Sequence, residues 1–133
     1  AAAKGELDKV QPLRWSKDTA VAVVVAAENY PDTPRTGDRI RGLKKVDALD
    51  GVHVIHAGTK LDGEGKVVSA GGRVLAVVAL GTDLVEARER AYDGVELVQL
   101  DGSQFRTDIG GKAARGQIRV AAPGTPAASK AKA

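Results

Sequence analysis

The sequence predicts an α+β domain, a small mixed or antiparallel β-sheet with one helix packed against it. Three observations lead there. Residues 19–27 form an apolar run rich in β-branched Val, similar short runs recur between residues 52 and 79 around an Asp-Gly turn, and a helix-start signal follows Gly81.

The first strand is Thr19-Ala20-Val21-Ala22-Val23-Val24-Val25-Ala26-Ala27. Its alternating positions are apolar on both sides, so both faces should be covered, by helices or by a second sheet. Tyr30 to Asp38 then carries two prolines and Gly37 and reads as a long loop. Further strands are expected at Val52–His56, Lys66–Ser69 and Arg73–Ala79, with Lys60–Lys66 as a hairpin connection.

The helix begins at Thr82 or Asp83, where Asp83 and Glu86 have capping-box spacing. Leu84, Ala87, Ala91 and Val95 line its inner side with Tyr92 beside them, while Glu86, Arg88, Glu89, Arg90 and Asp93 point outward. Beyond it, Val95–Leu100 is strand or irregular, and Asp101-Gly102 is a turn. Phe105 and Ile109 should anchor a closing segment to the core, and residues 113–119 read as a short terminal helix.

The boundaries follow from composition. Residues 1–13 mix charge, Gly and Pro without a period and read as a linker or the end of a preceding domain. Residues 14–119 form the folded unit, and residues 120–133 are an Ala/Pro-rich tail expected to be disordered.

At 133 residues the chain holds one domain, and with 3% aromatic residues its core must rely on close contacts among Ala and Val. The absence of Cys excludes disulfides, thiolate catalysis and Cys-ligated zinc. No apolar run reaches the roughly 20 residues of a membrane span, and the N-terminus does not continue into a signal-peptide core. A soluble, cytoplasmic protein is expected. A net charge of +3, from 20 basic and 17 acidic residues, is too weak to indicate nucleic-acid binding, and no aromatic platform supports it.

Two segments carry the candidate chemistry, His56-Ala57-Gly58-Thr59 and Gly71-Gly72-Arg73-Val74-Leu75. Paired glycines can converge backbone N–H groups on an anion, and Arg73 can add a bidentate contact to phosphate or carboxylate. A tight turn followed by a surface Arg is the alternative. His56 can donate to a phosphate, a ribose or a backbone group, but His53 and His56 face opposite sides of a strand and cannot share a metal. Arg39 and Arg41 alternate with Ile40 and can present one exposed face to a partner domain, an anionic ligand or solvent. Asp108 can accept local N–H groups of the following Ile109-Gly110-Gly111, orient a basic group, or pair with Arg106. No serine has a nucleophile-elbow setting, and neither Lys60 nor Lys66 sits in a carrier-type Met-Lys-Met context. No catalytic residue is assigned.

Taken together, Ala26-Ala27-Glu28-Asn29-Tyr30-Pro31, Gly37-Asp38-Arg39-Ile40-Arg41-Gly42-Leu43, His56–Thr59, Gly71–Leu75, Ala91-Tyr92 and Asp108-Ile109-Gly110 resemble the C-terminal domain of the phosphoribosylamine-glycine ligases, also called glycinamide ribonucleotide synthetases. The resemblance spans about residues 18–116 and keeps the order of several unlike motifs. The chain departs where Glu28-Asn29 replaces Gly-Gly, with Asn able to take an unusual φ, and where Lys112 replaces Arg.

The resemblance implies a purine-biosynthesis step in which ATP activates glycine as an acyl phosphate and 5-phosphoribosylamine attacks it. ATP and Mg²⁺ would bind mainly in ATP-grasp and N-terminal domains outside this chain. By the same implication His56, Gly58, Thr59, Gly71, Gly72 and Arg73 would line the substrate cleft, and the isolated chain would be inactive. A noncatalytic interaction domain docking an ATP-grasp partner is the competing expectation.

Overall fold

The computed structural model describes residues 2–118. The tail expected at 120–133 lies outside the described residues. Residues 2–18 make two single-turn 3₁₀ helices, Ala2–Lys4 and Leu7–Lys9, and none of these residues is buried.

Strands β1 (Thr19–Ala26), β2 (Val52–His56) and β5 (Arg73–Gly81) form one sheet in the order β1-β5-β2, with both pairings antiparallel. Strands β3 (Thr59–Leu61) and β4 (Val67–Ser69) form a separate antiparallel hairpin. Helices α1 (Leu43–Asp47) and α2 (Leu84–Leu97) pack on the three-stranded sheet, and α3 (Gly111–Ala114) follows. The α+β class is as expected, with antiparallel pairing throughout.

The expected hairpin connection is shorter than its composition suggests, because Thr59–Leu61 pairs as β3. Its turn is held by Asp62, whose Oδ1 accepts the amides of Lys66 (2.8 Å) and Glu64 (2.9 Å), while Gly65 takes the positive φ of 74°. These bonds, that of Lys66 foremost, keep the Asp62 carboxyl below its ordinary pKa.

Small side chains bring α2 close to the sheet. Ala87, Ala91, Gly94 and Val95 are its buried residues, facing the buried Val21, Val23, Val25 and Val77. A Cβ at Gly94 would lie 2.7 Å from a Val77 methyl and 3.0 Å from one of Val52. Asp83 caps the helix by accepting the Glu86 amide at 2.9 Å, and Glu86 returns a carboxylate to the Thr82 amide and hydroxyl, both at 2.7 Å. The helix also runs to Leu97, past the point where a strand was an open reading, since Val95 sits one turn after Ala91 on the buried stripe.

Two side chains expected to point outward turn back instead. Arg88 donates to the carbonyls of Ile109 (3.0 Å) and Thr107 (2.7 Å) and lies over the Tyr92 ring, and Arg90 donates to Leu80 O at 3.0 Å. Long aliphatic stems let these charged heads reach carbonyls at the edge of the core. Tyr92 donates its hydroxyl to Arg106 O and accepts the Ile109 amide, so α2 straps segment 105–110 in place. Ile109 packs against the core as expected, whereas Phe105 remains exposed beside Tyr92.

The expectation that both faces of β1 are covered meets a different outcome within the described residues. Val21, Val23 and Val25 are buried under α2, but Ala20, Ala22 and Val24 on the opposite face are exposed. No helix among the described residues is long and apolar enough to cross a membrane.

Gly94→Ala should lower stability. The helix-propensity gain of about 1 kcal/mol is outweighed by overpacking of about 1–3 kcal/mol against Val77 and Val52, and urea unfolding would register the loss. Glu86 gives a pH signature. The Thr82 hydroxyl and amide lower its folded pKa, so its stabilising contribution is present above the unfolded value and disappears as pH falls through the folded one. Acid titration of unfolding free energy should therefore show a weaker acid limb in Glu86→Gln.

Candidate functional site

The central strand β5 is interrupted near its start. Val25 pairs with Leu75 but Ala26 pairs with Arg73, so Val74 is an extra residue on β5. Such a bulge breaks the ladder and re-aims neighbouring side chains. Here it leaves the Val74 carbonyl to accept two amides from the segment after β2, those of Ala57 (3.0 Å) and Gly58 (2.9 Å).

This joins the two glycine-bearing segments. Gly58 O accepts the Ala70 amide at 2.7 Å, and a Cβ on Gly58 would stand 2.7 Å from Arg73 O and 3.0 Å from Gly71 Cα. Gly58 and Gly72 serve close approach, since neither is among the positive-φ residues, whereas a Cβ on Gly71 would make only an ordinary contact at 3.5 Å with Gly58 Cα. At Gly72 a Cβ would fall 2.4 Å from the Tyr30 ring and 3.0 Å from Pro34.

The result is an open groove of about 650 Å³ at the end of the sheet. Of the candidate residues, Gly58, Gly72 and Arg73 line it. His56, Thr59 and Gly71 are not part of the lining; His56 Nδ1 lies 2.9 Å from Thr59 Oγ1, and Gly71 backs Gly58. The walls also include Val24, Tyr30, Pro34 and Ala76, which carried no site signal in the sequence. Arg73 is exposed, is the one charged residue of the lining, and forms no salt bridge among the described residues. The groove suits an anion held by a guanidinium beside an apolar wall.

Its loop wall is built at long range. Arg35 forms an ion pair with Glu28, donates to Asp38 at 2.7 Å and reaches Asp101 O at 3.1 Å, which raises its already high pKa, chiefly through Asp38. Asn29 takes φ 65°, the positive value its side chain tolerates, and Glu28 is not among the positive-φ residues. The loop thus presents Tyr30 and Pro34 to Gly72.

The remaining candidates are placed elsewhere. Arg39 and Arg41 flank the buried Ile40 and bridge to Val68 and Gln99, and with Lys44, Lys45 and Lys66 they surround a second groove of about 530 Å³. Gly42 at its edge is obligatory, because a Cβ there would sit 1.9 Å from Leu97 O. Asp108 pairs through both oxygens with Arg106, at 2.9 and 2.6 Å, which lowers its pKa. The turn contact expected of its carboxylate is made instead by its backbone carbonyl, which accepts the Gly111 amide at 3.0 Å. No group of three or more His, Asp or Glu among the described residues is placed to hold a metal ion.

The family model described as "Phosphoribosylglycinamide synthetase, C domain" matches residues 20–112. The chain is 61% identical over 116 residues to a phosphoribosylamine-glycine ligase of Streptomyces coelicolor, covering 86% of this chain and 28% of that protein. It is 53% identical over 113 residues to one of Caulobacter vibrioides, covering 85% and 26%. The crystal structure of a phosphoribosylamine-glycine ligase from Thermotoga maritima superposes with a TM-score of 0.58 at 38% identity, covering 68% of this chain and 21% of that one. The chain spans between a quarter and a third of these two curated relatives.

Gly72→Ala should push the Tyr30 ring off the groove wall. NMR of the Tyr30 ring protons would report the displacement, with a thermal midpoint below that of the parent chain. Gly63→Ala, where an added Cβ meets nothing within 4 Å, should leave the ring signals in place.

Proposed function

The chain belongs to the phosphoribosylglycinamide synthetase C-domain family, and from that membership we propose that it forms the C-terminal portion of an ATP-dependent ligase. The complete enzyme joins glycine to 5-phosphoribosylamine in purine biosynthesis, giving glycinamide ribonucleotide, ADP and phosphate. The observation that carries this reading is the groove itself. Arg73, the charged residue of its lining, stands against a glycine-backed wall in a chain 61% identical to a relative named for that reaction.

In this reading Arg73 holds the phosphate of phosphoribosylamine, and Gly58 and Gly72 let the Tyr30 ring and the facing backbone close up as the groove wall. His56 and Thr59 fix the wall between the strand end and the hairpin. The chain contributes by positioning substrate and screening its charge, with no covalent step of its own. ATP supplies the activation of glycine as an acyl phosphate. The groove lining holds no carboxylate, so the described residues do not fit Mg²⁺, and we assign ATP and Mg²⁺ to ATP-grasp and N-terminal portions outside this chain.

Residues 14–119 are then the domain proper, with 1–13 leading from a preceding domain, and the assembly works in the cytoplasm. A second reading, a noncatalytic domain that docks an ATP-grasp partner, is favoured by the apolar sheet face left open beside β1.

The isolated chain should form no product from ATP, glycine and phosphoribosylamine. In the complete ligase, Arg73→Ala should raise the KM for phosphoribosylamine about 10- to 100-fold, the range for a lost charge-assisted hydrogen bond of ~1.5–3 kcal/mol. Its thermal midpoint should barely move, because Arg73 is exposed. Unchanged kinetics would remove Arg73 from the site and favour the docking domain.

A further inference from the structure

The register of the three-stranded sheet places Ala20 opposite Leu80, Ala22 opposite Val78, and Val24 opposite Ala76. On the other edge of β5, His53 pairs with Val78 and Ile55 with Ala76. By the alternation of strand side chains all of these share the face turned away from α2. It is apolar apart from His53. Val24 is 44% exposed and Ile55 56% exposed on the two flanking strands, and Ala76 and Val78 between them are half-buried, so this surface is open.

A solvated face of an antiparallel sheet ordinarily carries polar residues at these positions. Here the pattern is that of a strand buried on both sides, while α2 covers only one. α1 does not supply the second cover, because Val46 meets Gly94 of α2 beside Val52 and Val77 on the inner side.

We infer that this open face is the seam by which the domain docks onto the rest of the ligase, against a matching apolar surface. The inference rests on the reading above that such a portion exists. Its occupant is argued from length, since the chain accounts for only 28% of its Streptomyces coelicolor relative and the greater part of a ligase lies outside it. It is argued also from continuity. Val24 and Ala76 belong both to this face and to the wall of the Arg73 groove, so a body seated on the face forms the other side of the groove. Docking and completion of the substrate cleft are then one event.

The absence of Cys makes the test direct. Ile55→Cys and Val24→Cys place reporters on the face, and Val85→Cys, at a residue 48% exposed on α2, is the control. Each variant, checked for folding by circular dichroism, is labelled with a maleimide in the isolated chain and in the complete ligase, with the modified peptide read by mass spectrometry. The expected result is labelling at least tenfold slower in the complete ligase at positions 55 and 24, with position 85 within twofold.

Equal rates in both contexts at position 55 would overturn the inference, as would equal slowing at all three positions. Slow labelling in the isolated chain would overturn it too. If that slowing depends on concentration the occupant is a second copy, and if not it is the chain's own N-terminal segment, which carries Trp15 at 84% exposure. Ligase activity measured on the Ile55→Cys and Val85→Cys preparations, and not on Val24→Cys because Val24 lines the groove, separates the two claims. Protection without activity refutes the proposed reaction alone, and activity without protection refutes the seam alone.

Discussion

The structure depends on β5 being paired along both edges. It is the one strand of the three-stranded sheet with two neighbours, and α2 lies across it with Ala87, Ala91 and Gly94 in close approach. Hydrogen bonds from β1 and β2 fix its position, and the small helix residues fix the depth of the core. The bulge at Val74 then acts on a strand that has no freedom to shift. Its carbonyl takes two amides from the opposite segment, and Arg73 leaves the sheet at the groove.

Much of this was legible because the signals are local. β-Branched runs, the Asp83–Glu86 spacing and the turn residues around Asp62 each settle a few residues without reference to anything distant. β3 was missed because Thr59–Leu61 is polar enough to read as a loop and becomes a strand only through its pairing with β4. Arg88 and Arg90 were misplaced because helical spacing fixes where a side chain starts and not where a long one ends. The apolar alternation of β1 identifies a strand but overstates its cover, because Ala20, Ala22 and Val24 are exposed among the described residues and pattern alone does not say what lies against a face.

The candidate groove was legible in part. Gly58, Gly72 and Arg73 stood out by residue type, and the structure brings them together. Paired glycines suggest conformational freedom by residue type, whereas Gly58 and Gly72 here remove a Cβ that would strike Tyr30, Pro34 or a facing backbone. Tyr30 and Pro34 were invisible as wall residues because their placement depends on Arg35 reaching Asp101, more than sixty positions away. Asp108 reads in the structure as the partner of Arg106, so the acidic candidate and the groove belong to separate features.

The back-to-back contact of Gly58 with Gly71 has no side chain on either surface. Main chain meets main chain, so the geometry of this junction is indifferent to side-chain variation nearby. The hairpin tip at residues 62–66 is shaped by its own Asp62, which accepts the amides of Glu64 and Lys66. Changes of charge or length at that tip are therefore mechanically insulated from Arg73, and the domain can alter its outer rim while the groove keeps its shape.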